Sequence, residues 1–301
     1  MATETDPTTG TAPGEPDTLF QRLKQNDTVR LLSFEGLVWG LVLIVLFPII
    51  WMMLSSFSAA SLSDIVENGL GWYLSSMSLE NYVDMVESTR FVTWFKNSVI
   101  VSLVSTALSI VIATFGGYSI GRLRYKGRSA FAVFLLITQM FPYAVIIIPL
   151  FIIFRNLGLF NSLTGLIVAY VAFTLPFTTW MLRGFFENLP EQLEEAAMVD
   201  GSTRVGAVVR VILPLSAPAV ATTFIFGWLL AWNEFLFALV LINDQALKTL
   251  PPGIQQWVGQ NTINWGLIMA GATTVTVPLL LLFAFLQQYF VQGLAEGAVK
   301  S

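Results

Sequence analysis

The chain contains no cysteine and no histidine. The first absence excludes disulfides, thiol nucleophiles and thiolate-bound metals. The second removes zinc–histidine sites, histidine-based catalytic triads and a histidine pH switch. Charge is scarce too: Asp, Glu, Lys and Arg make up 11% of the residues, a share that few soluble domains of this length show. No G-x-x-x-x-G-K-[ST] occurs, so the chain has no P-loop to cradle ATP phosphates. If ATP drives it, another polypeptide must hold the nucleotide. The net charge of −4 comes mostly from the N-terminal tail and loops and argues against a nucleic-acid partner.

What the chain has in quantity is apolar residues, 55% of the total, as a polytopic protein of the lipid bilayer does. Six spans are predicted, at about Leu37–Phe57, Ser98–Ile120, Phe131–Phe154, Leu163–Leu182, Pro218–Ile242 and Leu267–Val291. Each is near the ~20 residues that a bilayer core requires. Their continuous hydrophobicity predicts helices, because barrel strands would be half as long and would alternate. Residues 1–18, rich in Thr, Pro, Gly, Asp and Glu, read as a disordered tail, and 19–301 as the transmembrane domain. No ordinary cleaved signal peptide is expected, since the first apolar run starts far in and is long enough to span.

Lys and Arg fall unevenly between the spans. One side holds Arg22, Lys24, Arg30, Arg122, Arg124, Lys126, Arg128, Arg183, Arg204, Arg210 and Lys300. The other has Arg90, Lys96, Arg155 and Lys248. The crowded side is expected to be cytoplasmic, which places both termini there. The cluster from Arg122 to Arg128 then serves topology and contact with anionic headgroups. On the opposite side, the loop from about Ser58 to Lys96 carries Asp64, Glu67, Glu80, Asp84 and Glu87. It is either a surface for an external partner or a solvated connector.

Between the fourth and fifth spans lies a charged, Ala-rich segment. Pro190 suits the first turn of a helix, and Glu191, Glu194 and Glu195 suit its positive end. Ala196 and Ala197 supply helix propensity and a smooth face for a partner. Gly201 fits a left-handed stop, and Ser202 or Thr203 can cap a second helix. Pro214 is expected to end that helix. Nine residues, Ser202 to Arg210, separate Gly201 from Val211-Ile212-Leu213-Pro214. This spacing resembles the EAA loop, about 185–215 here, of permease subunits of ATP-binding-cassette (ABC) importers, with Val211 where the pattern has Ile. The likeness extends along the chain through Asn97-Ser98, Gly116-Gly117-Tyr118, Phe185-Phe186, Trp232-Asn233-Glu234-Phe235 and Gln288 to Leu294. It is strongest to the carbohydrate-uptake group.

The resemblance implies an all-α, type I importer permease fold of six transmembrane helices. The chain would form half of a heterodimeric pathway for a sugar or oligosaccharide and would carry out no catalysis itself. Its implied partners are a paralogous permease, two ATPase subunits that bind ATP and Mg, and an extracytoplasmic solute-binding protein. Glu195, Ala196, Ala197, Asp200, Gly201, Leu213 and Pro214 would couple to the ATPase. There Glu195 would pair with a basic residue, and both alanines would pack in a groove. Glu191 and Glu194 read instead as a solvated first turn. Leu250, Pro251, Pro252, Gly253 and Ile254 are either the loop that reaches the binding protein or a rigid turn. Ala298, Val299 and Lys300 would end a tail tucked against the ATPases.

Glu234 is the one acidic residue placed inside a span, where a charge costs about 2.5–3.5 kcal/mol on insertion scales. With Asn233 and Trp232 it either lines the solute path, as hydroxyl-rich rings require, or is a buried structural carboxyl. Pro142, Pro149, Pro176 and Pro278 mark kinks or hinges. An ATP-independent secondary transporter or channel would call for more ionisable groups within the spans. A scaffold or receptor without transport would leave the EAA-like loop unexplained.

Overall fold

The computed structural model describes residues 17–58, 62–259 and 263–298. Two compact units divide at Met52–Met53. Helix α1 (Asp17–Ser56) opens inside the stretch read as tail, and its 23-residue section Phe34–Ser56 contains an 18-residue stretch with a mean hydropathy of 2.7. Pro48 lies within it, and Phe47 stacks on Trp51 at 6.3 Å.

The second unit follows. The acidic loop expected after the first span folds into two helices, α2 (Leu62–Ser75) and α3 (Glu80–Glu87). Gly69 breaks α2 with a φ of 84°, a conformation that suits a residue without Cβ. Long helices α4 (Phe91–Arg122) and α7 (Leu163–Glu187) are separated in sequence by the shorter α5 (Arg128–Met140) and α6 (Tyr143–Asn156). Next come α8 (Gln192–Val199), α9 (Arg204–Ala207), a π-helical turn over Val208–Ile212 and α10 (Leu213–Leu215). The chain ends with α11 (Ala217–Trp232), α12 (Leu236–Leu241), α13 (Leu250–Ile254), a 3₁₀ turn at Gln255–Trp257 and α14 (Trp265–Ala298).

The α4–α7 pair is the spine of this unit. Gly117 and Gly121, four residues apart, form a small-x-x-x-small pattern of the kind that lets membrane helices approach at backbone distance. A Cβ on Gly117 would stand 2.9 Å from the Arg183 backbone nitrogen, and one on Gly121 3.1 Å from the Arg183 carbonyl. Hydroxyl groups extend the seam. Ser109 Oγ and Thr174 Oγ1 lie 2.7 Å apart, and Trp228 Nε1 of α11 donates to Ser102 Oγ of α4 at 2.9 Å.

Among the described residues, four helices are long and apolar enough to span singly, and two bent pairs bring the number to six. The bends correct the straight spans expected from hydropathy. The third span turns by 99° between α5 and α6. Pro142 has no N–H to donate and holds Phe141 extended, at φ −71° and ψ 130°. The fifth span also has a different course. An 80° bend at Ser216 separates the α9–α10 run from α11, and α11 stops at Trp232. Asn233, Glu234 and Phe235 interrupt the expected Pro218–Ile242 helix before α12 resumes it for six residues.

Candidate functional site

Three regions carry the residues singled out above: one at each end of α4 and one at the break between α11 and α12. At the arginine-rich end of α4, Pro190 stands just ahead of α8 rather than in its first turn, because Glu191 is the N-cap. Gly201 takes the left-handed φ of 85°. The Ser202 N–H reaches the Ala197 carbonyl at 3.0 Å and the Gly201 N–H reaches that of Met198 at 3.1 Å, the paired bonds of a Schellman stop. Thr203 caps α9, its hydroxyl accepting from the Gly206 N–H at 3.1 Å. Pro214 does not end the second helix. The π turn before it widens the backbone around the ring, and the run ends at Ser216, whose hydroxyl donates to the Ile212 carbonyl at 2.7 Å.

This hairpin presents Glu195, Ala196, Asp200, Gly201 and Pro214 to solvent, with Leu213 half-buried. Ala197 is buried against its own chain. It cannot pack in a partner's groove alongside Ala196 while the hairpin keeps this form. Two residues that sequence reasoning passed over flank the Gly201 turn: Val199 is 86% exposed and Val205 62%.

Glu194 differs from the solvated acid expected. It is 9% exposed and accepts a hydrogen bond from the buried Tyr118 hydroxyl of α4. Arg204 Nε lies 3.7 Å from the same carboxyl oxygen. Outside this contact, Arg122 donates to the Pro190 carbonyl at 3.0 Å and Arg124 pairs with Glu191 at 3.2 Å. Arg122, Arg124, Glu191, Glu194 and Arg204 line a cavity of about 320 Å³ together with Glu195 and Met198.

The second region is the break between α11 and α12. Glu234 is nearly buried, and its two carboxyl oxygens accept the backbone N–H groups of Phe237 at 2.8 Å and Ala238 at 3.1 Å. It therefore satisfies donors at the start of α12 that have no intrahelical partner. Tyr170 of α7 donates to the Glu234 backbone carbonyl at 3.3 Å. Glu234 and the exposed Asn233 also line an open cavity of about 600 Å³, whose walls include Phe173, Phe177, Phe226 and Phe235. Trp232 is not among its lining residues. It is 2% exposed and packs on Trp228 at 5.0 Å and edge-on to Phe95 at 5.9 Å. The three neighbours in sequence thus divide, and the aromatic surface beside Glu234 comes from Phe235 next to it, Phe226 of α11 and Phe173 and Phe177 of α7.

At the other end of α4 lies the segment expected to reach a binding protein. Asn97 Nδ2 donates to the Ala246 and Lys248 carbonyls, both at 2.9 Å, and Trp94 Nε1 to that of Gln245 at 2.8 Å. The Leu250 N–H reaches Ser98 Oγ at 2.7 Å. Leu250, Pro252 and Gly253 are buried, with Gly253 so close to the Trp94 ring that a Cβ would overlap it. Pro251 and Ile254 keep partial exposure, and Gln255, Gln256, Val258 and Gly259 are exposed. Ala298 is the last residue of α14, while Val299 and Lys300 lie outside the described residues, as do residues 1–16 of the expected tail.

The family described as binding-protein-dependent transport system inner membrane component matches residues 113–296. The chain belongs to this family. It is a multi-pass membrane protein and a non-catalytic permease subunit of the ABC transporter class. The match takes in the α8–α9 hairpin and the Glu234 break, together with Gly117 and Tyr118 of α4. Among relatives, the diacetylchitobiose uptake system permease protein DasC of Streptomyces coelicolor is 38% identical over 94% of this chain and 98% of its own. The trehalose/maltose transport system permease protein MalG of Thermococcus litoralis is 37% identical over 90% and 97%. A bacterial ABC transporter that imports the acidic polysaccharide alginate shares the fold, with a TM-score of 0.74 at 21% identity over 88% of this chain and 98% of that one. A second structure of an alginate transporter, in complex with an alginate pentasaccharide-bound periplasmic protein, has a TM-score of 0.62 at 16% identity, covering 90% and 96%.

Proposed function

We propose that the chain is one half of a heterodimeric pathway for ATP-driven uptake of a sugar or oligosaccharide. It pairs with a paralogous permease, with two ATPase subunits that hold ATP and Mg, and with an extracytoplasmic solute-binding protein. The sugar class follows the relatives, which serve diacetylchitobiose and trehalose or maltose. The Arg and Lys distribution favours a cytoplasmic location for the hairpin and both termini.

The observation that carries the coupling assignment is the α8–Gly201–α9 hairpin. Its turn is closed by the Gly201 stop and the Thr203 cap, it is anchored to α4 through Glu194 and Tyr118, and it exposes Glu195, Ala196, Val199 and Val205. Rigid backbone beneath exposed apolar and acidic side chains is what a docking surface for a moving partner needs. Asp200, Gly201, Leu213 and Pro214 complete that surface, and the Ala298–Lys300 tail adds a second contact with the ATPases. For the solute, Asn233 and Glu234 offer hydrogen-bonding groups beside the phenylalanine walls, a pairing that suits the hydroxyls and ring faces of a sugar. The binding protein meets Pro251, Ile254 and the exposed residues from Gln255 to Gly259.

Affinity purification from the native membrane in mild detergent tests the reading. The wild-type chain is expected to bring down an ATPase and a second permease, and Glu195→Arg to lose the ATPase. A homo-oligomer without any ATPase would sink the proposal and move secondary transport to first place.

A further inference from the structure

A docked hairpin is useful only if its displacement reaches the spans, and α8 touches α4 through few polar contacts. The Arg122–Pro190 and Arg124–Glu191 bonds are exposed, where solvent and salt leave an ion pair little strength. Among the described residues, the one polar tie from α8 to α4 that is shielded from water joins Glu194 to Tyr118, which lie 76 positions apart in sequence. A charge-assisted bond of this sort is short, directional and strong. Arg204 adds α9 to the same carboxyl group, so three elements converge on one side chain.

The tie continues inward. The Tyr118 ring meets Phe186, at the end of α7, edge-on at 6.3 Å and shares a buried cluster with Val208 and Ile212 of the π turn. Beside it and about one turn further along α4, Gly117 and Gly121 hold the helix at backbone contact with α7. We propose that Glu194 is the joint through which the α8–α9 hairpin moves α4 and α7 together, with Tyr118 and Arg204 as its positioning residues. This inference rests on the reading of the hairpin as the ATPase-docking surface. It assigns Glu194 a task distinct from that of its neighbour: Glu195 faces the partner, and Glu194 faces the membrane helices.

The absence of cysteine makes the test direct. Nitroxide labels on Ile112→Cys of α4 and Ile148→Cys of α6, both exposed positions, are placed in the purified complex with its ATPases. Their distance distribution is recorded without nucleotide and with ATP plus vanadate, so no solute need be known. In the wild type, ATP is expected to shift the distribution. In Tyr118→Phe the ATPase should stay bound and still hydrolyse ATP, while the shifted fraction relative to the unshifted one falls about tenfold. That factor is what losing a charge-assisted hydrogen bond sets. Glu194→Leu should behave in the same way and serves if Tyr118→Phe assembles poorly. Glu194→Gln, which keeps an acceptor for the hydroxyl, should recover part of the shift. A merely structural contact would instead lower recovery of the complex and leave the shift intact in whatever assembles. Wild-type shifts in assembled Tyr118→Phe and Glu194→Leu overturn the proposal. An ATPase missing from the wild-type preparation overturns the docking reading itself, a different result.

Discussion

Replacing Glu234 separates a structural cap from a group that only meets solute. Its carboxyl group accepts the Phe237 and Ala238 N–H groups at 2.8 and 3.1 Å in a setting nearly closed to water. Glu234→Gln leaves one oxygen to accept and points an NH₂ group at the second donor, so one buried N–H loses its acceptor. That costs about 1–3 kcal/mol. Glu234→Ala strands both donors, at about twice that cost by the same reasoning. Glu234→Asp is a methylene shorter and should fall between the wild type and Ala. The assay is thermal unfolding of the purified complex in detergent, followed by intrinsic tryptophan fluorescence, to which Trp228 and Trp232 beside the break contribute, with uptake measured in parallel. The expected order of midpoints is wild type, then Gln, then Ala, separated by several degrees, with uptake falling in step. Equal midpoints for all three proteins would refute the capping argument. A rise in the half-saturating solute concentration without any change in midpoint would leave Glu234 as a solute contact only.

Two further substitutions probe the remaining surfaces. Asn233→Ala removes an exposed side chain whose amide donates to the Leu229 carbonyl at 2.8 Å, so the unfolding midpoint should hold while solute uptake weakens severalfold. A normal uptake curve would remove Asn233 from the path. Asn97→Asp turns a donor to two carbonyls into an acceptor facing them, and should destabilise the complex more than Asn97→Ala by about 1–3 kcal/mol. The reverse order of unfolding midpoints would show that these bonds do not hold the segment from Ala246 to Leu250 in place.

Much of this architecture was legible because long apolar runs declare themselves. The runs that became α4, α7, α14 and the apolar section of α1 needed only their ends adjusted. The two bent pairs were not legible, since hydropathy averaged along a window is blind to direction. Pro142 was visible, yet nothing local separates a mild kink from a 99° turn. At Asn233–Glu234 the clue was present: a mid-span acid beside an amide more easily ends one helix and caps the next than lies within a continuous one. The hairpin's Gly201 stop and Thr203 cap follow from local chemistry and were found. The burial of Ala197 was not legible, because it sits three residues after Glu194 on one helical face and Glu194 reads as solvated until Tyr118 is placed beside it. Tyr118 as the partner of Glu194 was beyond local reasoning, since no pattern ties positions so far apart. Gly117 and Gly121 spelled out a close-packing motif, but only the α7 backbone opposite explains why they are there.

The break at Glu234 also bears on how the chain is made. With six residues, α12 rises about 9 Å, far short of the ~30 Å of a hydrocarbon core. Insertion machinery that reads hydrophobic length cannot recognise it as a span. Its polar neighbour Glu234 would be penalised if it met lipid alone. Both difficulties vanish once α12 docks on α6 and α7, whose Phe154, Ile147 and Tyr170 share its core. Those helices leave the ribosome first. The order of synthesis therefore lays down a receiving surface before the segment that cannot enter the bilayer unaided, and the cavity beside Glu234 is completed only when that late arrival settles.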